Sequence, residues 1–568
     1  MNKIKKQLNK KTIFKIFSII LYAIIMLIYE LLFCNGEFIK NLLGINNATS
    51  IIFNFSFARL FIYLLLGYVF IKFINKFSEK EIEEIKNKYK IIALIILYIV
   101  FVISISYFIY KQMGYYKIIL LILNVLMGTI AITYLTNNYS KNILIIFMTV
   151  GILFCCTTQL NGSLDEKRHF MTAYNISIGN LNYKNNNISE ESIEKVPRVC
   201  PMNESIKFFG IEYENKRFEN NDAPIDEKPS VYNFIIYIPS AIGIFIGRIL
   251  HGSVADIYIL GRITNLITYM LLLIATMKQL PFKKNVFFVT YMMPIIILLA
   301  GSYSIDGICI GVIGLLIAYS LKLYKEPERI SKSQIFKLAT LFAISLLAKE
   351  MSYAFICLLF LILPLTKIIK QNKQAMAIAA IGVILVILVL AKGIFFGEDR
   401  ALVSDTRSEN TNVKQQIQFI ISNPKADIEI AVNHIKGTLL NFHWLGYLNP
   451  SNFFGEFSNL FVIQFIFLLY VAISDNSFRF KMKEKIIIAI TFLCVYGTGS
   501  LVLYLSFTPV GHNLILGYQT RYIFPILPLL FMIINNNNME KEKKQQENIS
   551  IIVTLFLIIN LIGSIIFI

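Results

Sequence analysis

Asp165, Glu166, Lys167, Arg168 and His169 stand at consecutive positions in NGSLDEKRHFMTAY, directly after a long apolar run. A carboxylate can take a proton from a hydroxyl, and a guanidinium, ammonium or imidazole on the same face can hold a departing phosphate, the guanidinium with two parallel hydrogen bonds. Groups of the same types recur at turns between other apolar runs. They are Asp306 in GSYSIDG, Lys349 and Glu350 in LLAKEMSY, His434, His443 beside the lone tryptophan Trp444, and His512, Gln519, Arg521 and Tyr522 in PVGHNLILGYQTRYIFP. Arg262 follows near the start of a further apolar run. Together these residues suit transfer to a hydroxyl with a phosphate leaving group. The sequence has no P-loop and no GxGxxG, so a lipid-phosphate donor fits better than a nucleotide. Each residue also has a plainer role: a solvated charge run for the cluster, a helix N-cap for Ser304 or Asp306, headgroup anchoring for Arg262 and Arg521, and ordinary packing for His434.

These groups have to be positioned by elements that are overwhelmingly apolar. The 568 residues are 56% hydrophobic and 14% aromatic, more than a soluble domain of this length could bury, and the chain reads as an integral membrane protein. A net charge of +19 fits basic loops retained on the cytoplasmic side, so no nucleic-acid partner is expected. The cysteines lack metal-ligand spacing, five lying within apolar runs and Cys34 and Cys200 in separate loops. No disulfide framework, zinc site or cofactor is expected, and nothing indicates a divalent metal.

A span needs about 20 apolar residues, and runs of that kind number about 15. They cover 14–34, 51–73, 91–110, 117–136 and 142–159, then 256–277, 285–301, 307–323, 335–349, 351–366 and 375–396, then 457–474, 485–508, 514–534 and 549–568. The fold class expected is an all-α polytopic bundle. MNKIKKQLNKK places the N-terminus in the cytoplasm, and counting crossings puts Asp165–His169 on the outer face. The run 231–250 is apolar enough to cross, but crossing would move KQLPFKKN, KLYKEPERISKSQ, KIIKQNKQ and FRFKMKEK outside. Pro239, Gly243 and Gly247 also weaken it as a straight span, so a non-crossing juxtamembrane or re-entrant element is expected. Two long outer loops result, 160–255 and 397–456.

DEKRHFMTAY, GRITNLITY, GSYSID, LAKEMSY and GYQTRYIFPILP together resemble an uncharacterised bacterial membrane family, domain of unknown function 2142, over about residues 145 to 535. More distantly, the Asp165–Glu166 pair followed by KPSVYNFIIYIPSAIGIFIGRIL is similar to the acidic pair and "KPPLYYW" stretch of GT-C membrane glycosyltransferases of the protein mannosyltransferase and aminoarabinose transferase type. Ser230 stands where a second proline is common, and a short second outer loop is expected rather than a globular C-terminal domain. The resemblance implies a GT-C-like helical bundle whose outer loops carry juxtamembrane helices. It divides the chain into accessory helices (1–140), a catalytic membrane core (141–535) and a cytoplasmic linker with a last helix (536–568). It implies Asp165 as the base, with Glu166 beside it. Arg168, His169, Arg262, Asp306, Lys349, His512, Gln519, Arg521 and Tyr522 are then the candidates for donor phosphate or substrate.

The expected function is transfer of a sugar from a polyprenyl-phosphate donor to a cell-surface or lipid-linked glycan, at the outer face of a bacterial cell membrane. Two other classes stay open: a transporter or flippase of a lipid-linked saccharide, and a non-catalytic envelope assembly protein. A ligase-like variant of the first would place the site in loop two, at His434, His443 and Trp444. Mid-membrane charges would favour a transporter; charges gathered at one face favour an enzyme.

Overall fold

The computed structural model describes residues 138–152, 155, 163, 165–181, 232–250, 254–326, 330–349, 352–396, 411–439, 460–475 and 477–534. The expected spans 14–34, 51–73, 91–110, 117–136 and 549–568 lie outside these residues, as do His251, Glu350, His443 and Trp444. Every regular element among the described residues is helical. In chain order they are α1 (Tyr139–Ile146), α2 (Glu166–Ser177), α3 (Ile238–Ile249), α4 (Val254–Gln279), α5 (Lys284–Tyr291), α6 (Pro294–Ala300) and α7 (Asp306–Lys325). There follow α8 (Lys332–Ala348), α9 (Leu365–Phe396), α10 (Val413–Ser422), α11 (Pro424–Thr438), α12 (Leu460–Ser474), α13 (Met482–Ser506) and α14 (Leu527–Met532). Among the described residues three stretches are long and apolar enough to cross a membrane: Ile257–Gln279, Asp306–Lys325 and Met482–Ser506. The α7 stretch is largely buried within the bundle, whereas α13 exposes Ile486, Ile490, Leu493, Leu501 and Val502.

Helix α3, the core of the expected non-crossing run, follows a 3-10 turn at Phe234–Tyr237 and packs antiparallel along the first half of α4. Two glycines permit this approach. A Cβ on Gly243 would lie 2.3 Å from the Leu260 carbonyl oxygen, and one on Gly247 would lie 2.9 Å from the Ile257 side chain. At about 1.5 Å per residue α3 is about 18 Å long, and with the 3-10 turn the apolar stretch Phe234–Ile249 reaches about 26 Å, short of a bilayer core of about 30 Å.

Three expected helices are not single helices. The run 285–301 breaks between α5 and α6 at Pro294, which has no N–H to donate and takes the first position of α6. The freed Tyr291 carbonyl accepts from the Tyr269 hydroxyl at 2.6 Å. The run 514–534 is a loop followed by 3-10 turns at Thr520–Tyr522 and Phe524–Ile526 and then the short α14. Arg521 therefore lies on a turn before Pro525 rather than at a helix end. Here the Pro525 carbonyl accepts from Tyr291 (2.8 Å) and the Tyr522 carbonyl from Tyr353 (3.0 Å). The run 351–366 is a 3-10 helix, Ala354–Ile362, ended by Leu363, which is held extended before Pro364. Helix α9 is one long element kinked at Asn372 (φ −135°, ψ 36°), whose amide donates to the Ile330 carbonyl.

The bundle has two polar ends. At one, Lys283 donates through Nζ to the carbonyls of Asp475 and Ile534, while Asp475 accepts from the Asn285 N–H at 3.2 Å. Lys322 reaches Gln279 (2.9 Å), Tyr324 reaches Glu484 (2.6 Å), and Phe282 stacks on Phe478. The described parts of the four basic connections, 278–285, 322–326 with 330–334, 367–374 and 478–485, thus gather on one side. The other end, about 30 Å away along the length of α7, carries the acidic and basic residues of the candidate site.

Candidate functional site

Asp165 and Glu166 are neighbours with opposite surroundings. Glu166 is buried and accepts from four donors: Arg262 Nε and Nη2, both at 2.8 Å, and the backbone N–H groups of Tyr303 and Ser163, both at 3.2 Å. Arg262 gives its remaining terminal nitrogen to the Cys155 carbonyl (3.1 Å) and lies 4.8 Å from the Tyr258 ring centre. Both side chains are fully buried, so Arg262 does not anchor at headgroups; it joins α4 to the start of α2. This pair fixes the turn in which Asp165 stands.

Asp165 sits just before α2 in a left-handed conformation (φ 54°, ψ 18°), which costs a non-glycine residue about 1–3 kcal/mol and which Asp and Asn tolerate best. An aspartate at this position commonly caps the helix with its side chain. Asp165 makes no such cap and extends to Arg521 Nη2 at 3.0 Å instead. From there the ionic contacts continue inward. Arg521 Nη1 is 3.3 Å from Asp306 Oδ2, and Lys349 Nζ donates to Asp306 Oδ1 at 2.6 Å. The Ser304 hydroxyl donates to Asp306 Oδ2 at 3.2 Å and accepts from the Asp306 N–H, so Asp306 is both at a helix start and in the ionic chain. The Asp165 side chain is 43% exposed, whereas those of Arg521, Asp306 and Lys349 are 8%, 4% and 8% exposed. Arg521 is buried and doubly paired, which a side chain reaching for headgroups would not be.

Aromatic groups wall this chain. Lys349 Nζ lies 4.2 Å from the Tyr522 ring centre, and Arg521 stands over the same ring at 5.6 Å. His169, one turn along α2 from Asp165, is buried with Nδ1 2.7 Å from the Tyr237 hydroxyl and its ring 6.3 Å from that of Tyr232. Burial pushes the His169 imidazole down to about 4; Asp165 and Asp306 oppose this, while Arg521 and Lys349 add to it. Burial raises the Tyr232 phenol to about 12 against the pull of Lys349. Tyr232, Tyr237 and Tyr353 were not among the residues singled out from sequence. Tyrosines are frequent in this chain, and their positions carried no signal that separates a site from the core.

Of the other candidates, Gln519 is half-buried, and its Oε1 is buried with no hydrogen-bond partner among the described residues. Arg168 is half-buried on the first turn of α2. His512 bonds within its own turn, Nδ1 accepting from the Leu514 N–H at 3.2 Å, and is not brought to the ionic chain. His434 on α11 is buried, with Nε2 2.9 Å from Ser500 Oγ on α13, and packs edge-on against Tyr518, which in turn packs on Tyr522. Loop two thereby touches the wall of the site through aromatic contacts.

His169 and His434 predict an acid limit to stability. Burial pushes both from the ordinary value near 6.5 down to about 4. The unfolded chain therefore binds more protons below pH 6.5, and the stability present above that pH is lost as pH falls toward 4. The unfolding temperature of the detergent-solubilised protein should be level above about pH 7 and drop between about pH 6.5 and 4. Replacing both imidazoles with glutamine should flatten that drop; an unchanged profile would place its origin elsewhere.

The family described as Predicted membrane protein (DUF2142) matches residues 147–530, more than half of the chain, and every candidate site residue falls inside the match. Neither the curated proteins nor the solved structures contain a match.

Proposed function

The chain belongs to that family of membrane proteins, and from the geometry of its ionic end we propose that it is a GT-C type glycosyltransferase using a polyprenyl-phosphate sugar donor. One observation carries this reading: a partly exposed carboxylate, Asp165, held at the mouth of a buried chain of two cations and a second carboxylate. In the proposed reaction Asp165 takes the proton of the acceptor hydroxyl as its oxygen bonds to the anomeric carbon. The bond from that carbon to the phosphate oxygen breaks, with its electron pair leaving on the phosphate. Arg521 and Lys349 meet the developing charge in a water-poor setting, where fixed cations act most strongly. Inversion at the anomeric carbon follows from attack opposite the leaving group.

Gathering of the basic connections at the far end favours a site facing out of a bacterial cell, by the rule that such loops stay in the cytoplasm. The acceptor is then a cell-surface or lipid-linked glycan. A transporter that coordinates an ion would use carbonyls freed where helices break. Here the freed carbonyls of Tyr291, Tyr522 and Pro525 are taken by tyrosine hydroxyls, which favours the enzyme.

Arg521→Lys tests the phosphate role. An ammonium keeps the charge and loses the planar fork. The variant should insert normally and lose most transfer, with apparent donor affinity weakened more than acceptor affinity. Unchanged donor dependence in a reconstituted transfer assay would remove Arg521 from the donor site.

A further inference from the structure

The Arg521 guanidinium is shared by two carboxylates and filled by neither. Nη2 donates to Asp165 at 3.0 Å. Nη1 lies 3.3 Å from Asp306 in an ion pair, yet among the described residues both Nη1 and Nε are buried without a hydrogen-bond acceptor. Buried guanidinium donors left in this state are costly unless a ligand completes them. The two carboxylates are not equivalent. Asp306 is held by Lys349 at 2.6 Å and by the Ser304 hydroxyl, and it is buried; Asp165 is 43% exposed and forms the outer end of the ionic chain. Only Asp165 can leave Arg521 for water without stranding a buried charge.

Charge leads to the same residue. Asp165, Asp306, Lys349 and Arg521 sum to zero, so an added anion leaves the cluster net negative unless one carboxylate withdraws. A tetrahedral oxyanion presents two oxygens that span adjacent guanidinium nitrogens, which a carboxylate held on Nη2 alone does not do here. We propose that Arg521 is an oxyanion site in which Asp165 is the resident carboxylate: an incoming phosphate-type group takes Nη2 together with the unfilled donors, and Asp165 is displaced toward the mouth. On the transferase reading, on which this consequence alone rests, the displaced carboxylate has moved away from the Arg521 guanidinium and accepts a proton more readily. The base is then engaged only after the donor is seated, and donor binding precedes acceptor activation.

The same chemistry is carried by a lipid monophosphate and by free phosphate. The test is equilibrium binding of farnesyl phosphate and of inorganic phosphate to the full chain in phosphate-free detergent at one pH. Wild type, Asp165→Asn, Arg521→Lys and the double variant are compared. Asparagine tolerates the left-handed backbone of position 165 and removes only the charge. Exchange predicts that Asp165→Asn binds phosphate more tightly than wild type, by about fivefold, the upper range for an ion pair with one partner this exposed. The gain should vanish in the Arg521→Lys background. A gain confined to farnesyl phosphate supports exchange with a lipid carrier, and one equally large for inorganic phosphate supports exchange with a soluble anion. Equal or weaker binding by Asp165→Asn overturns the proposal. So does binding that Arg521→Lys leaves intact, which would mean an adventitious ion only. Because no sugar is transferred in this experiment, the two readings fail separately. Exchange without turnover of a sugar-charged carrier would discard the transferase, and turnover without the gain would discard only the exchange.

Discussion

Asp165→Asn is expected to lower sugar transfer by about 10²–10⁴-fold, the usual cost of removing a general base, while leaving expression and unfolding temperature near wild type. The amide keeps the shape and the backbone preference of the residue, and with the carboxylate 43% exposed no buried cavity or stranded lone pair is created. Arg521 loses one of its two anionic partners and keeps Asp306. Initial rates of transfer and a thermal scan on the same preparation check both halves of this expectation. Wild-type rates would mean that Asp165 is not the base and would move the chemistry to other residues, those of loop two first.

Glu166→Gln, one residue along, is expected to fail in the opposite way. The carboxylate it replaces is buried and takes four hydrogen bonds, two of them from a fully buried Arg262. An amide turns an NH₂ group toward those donors and leaves the guanidinium charge uncompensated, a change that costs about 3–5 kcal/mol in buried pairs. The result should be low yield and a much lower unfolding temperature, with the surviving folded fraction retaining turnover per molecule. Arg262→Met, which also strands a charge, should do the same, and the paired replacement Glu166→Met with Arg262→Leu should recover part of the loss. A stable Glu166→Gln protein lacking turnover would make Glu166 a catalytic residue.

The contrast between these neighbours marks how far sequence reading reached. DEKRH drew attention to this end of the bundle, because five ionisable groups after an apolar run are costly and specific in type. It could not divide the roles of Asp165 and Glu166, since that depends on partners 96 and 356 positions away. Asp306, Lys349 and Arg521 were legible as lone charges at turns between apolar runs, and the structure joins them in one chain. Arg262 belonged to the same list, but its contacts tie it to Glu166 rather than to that chain. Helix continuity was the weak point. Apolar length alone does not distinguish a straight helix from one broken at Pro294 or from the turns around Pro525. Both breaks rest on tyrosine hydroxyls that meet distant carbonyls. The half-length packing of α3 was foreshadowed by Gly243 and Gly247; their use as a contact surface for α4 was not.

If the ionic end acts on a sugar-bearing lipid phosphate, mass spectrometry of the lipids retained by the purified protein should detect it. Wild type and Asp165→Asn would be isolated from the same bacterial membranes and extracted in parallel. A variant that binds the donor and cannot activate the acceptor should retain polyprenyl phosphate still carrying its sugar, whereas wild type should retain mainly the uncharged carrier. Absence of any polyprenyl phosphate from both preparations, or the same charged fraction in each, would contradict the account.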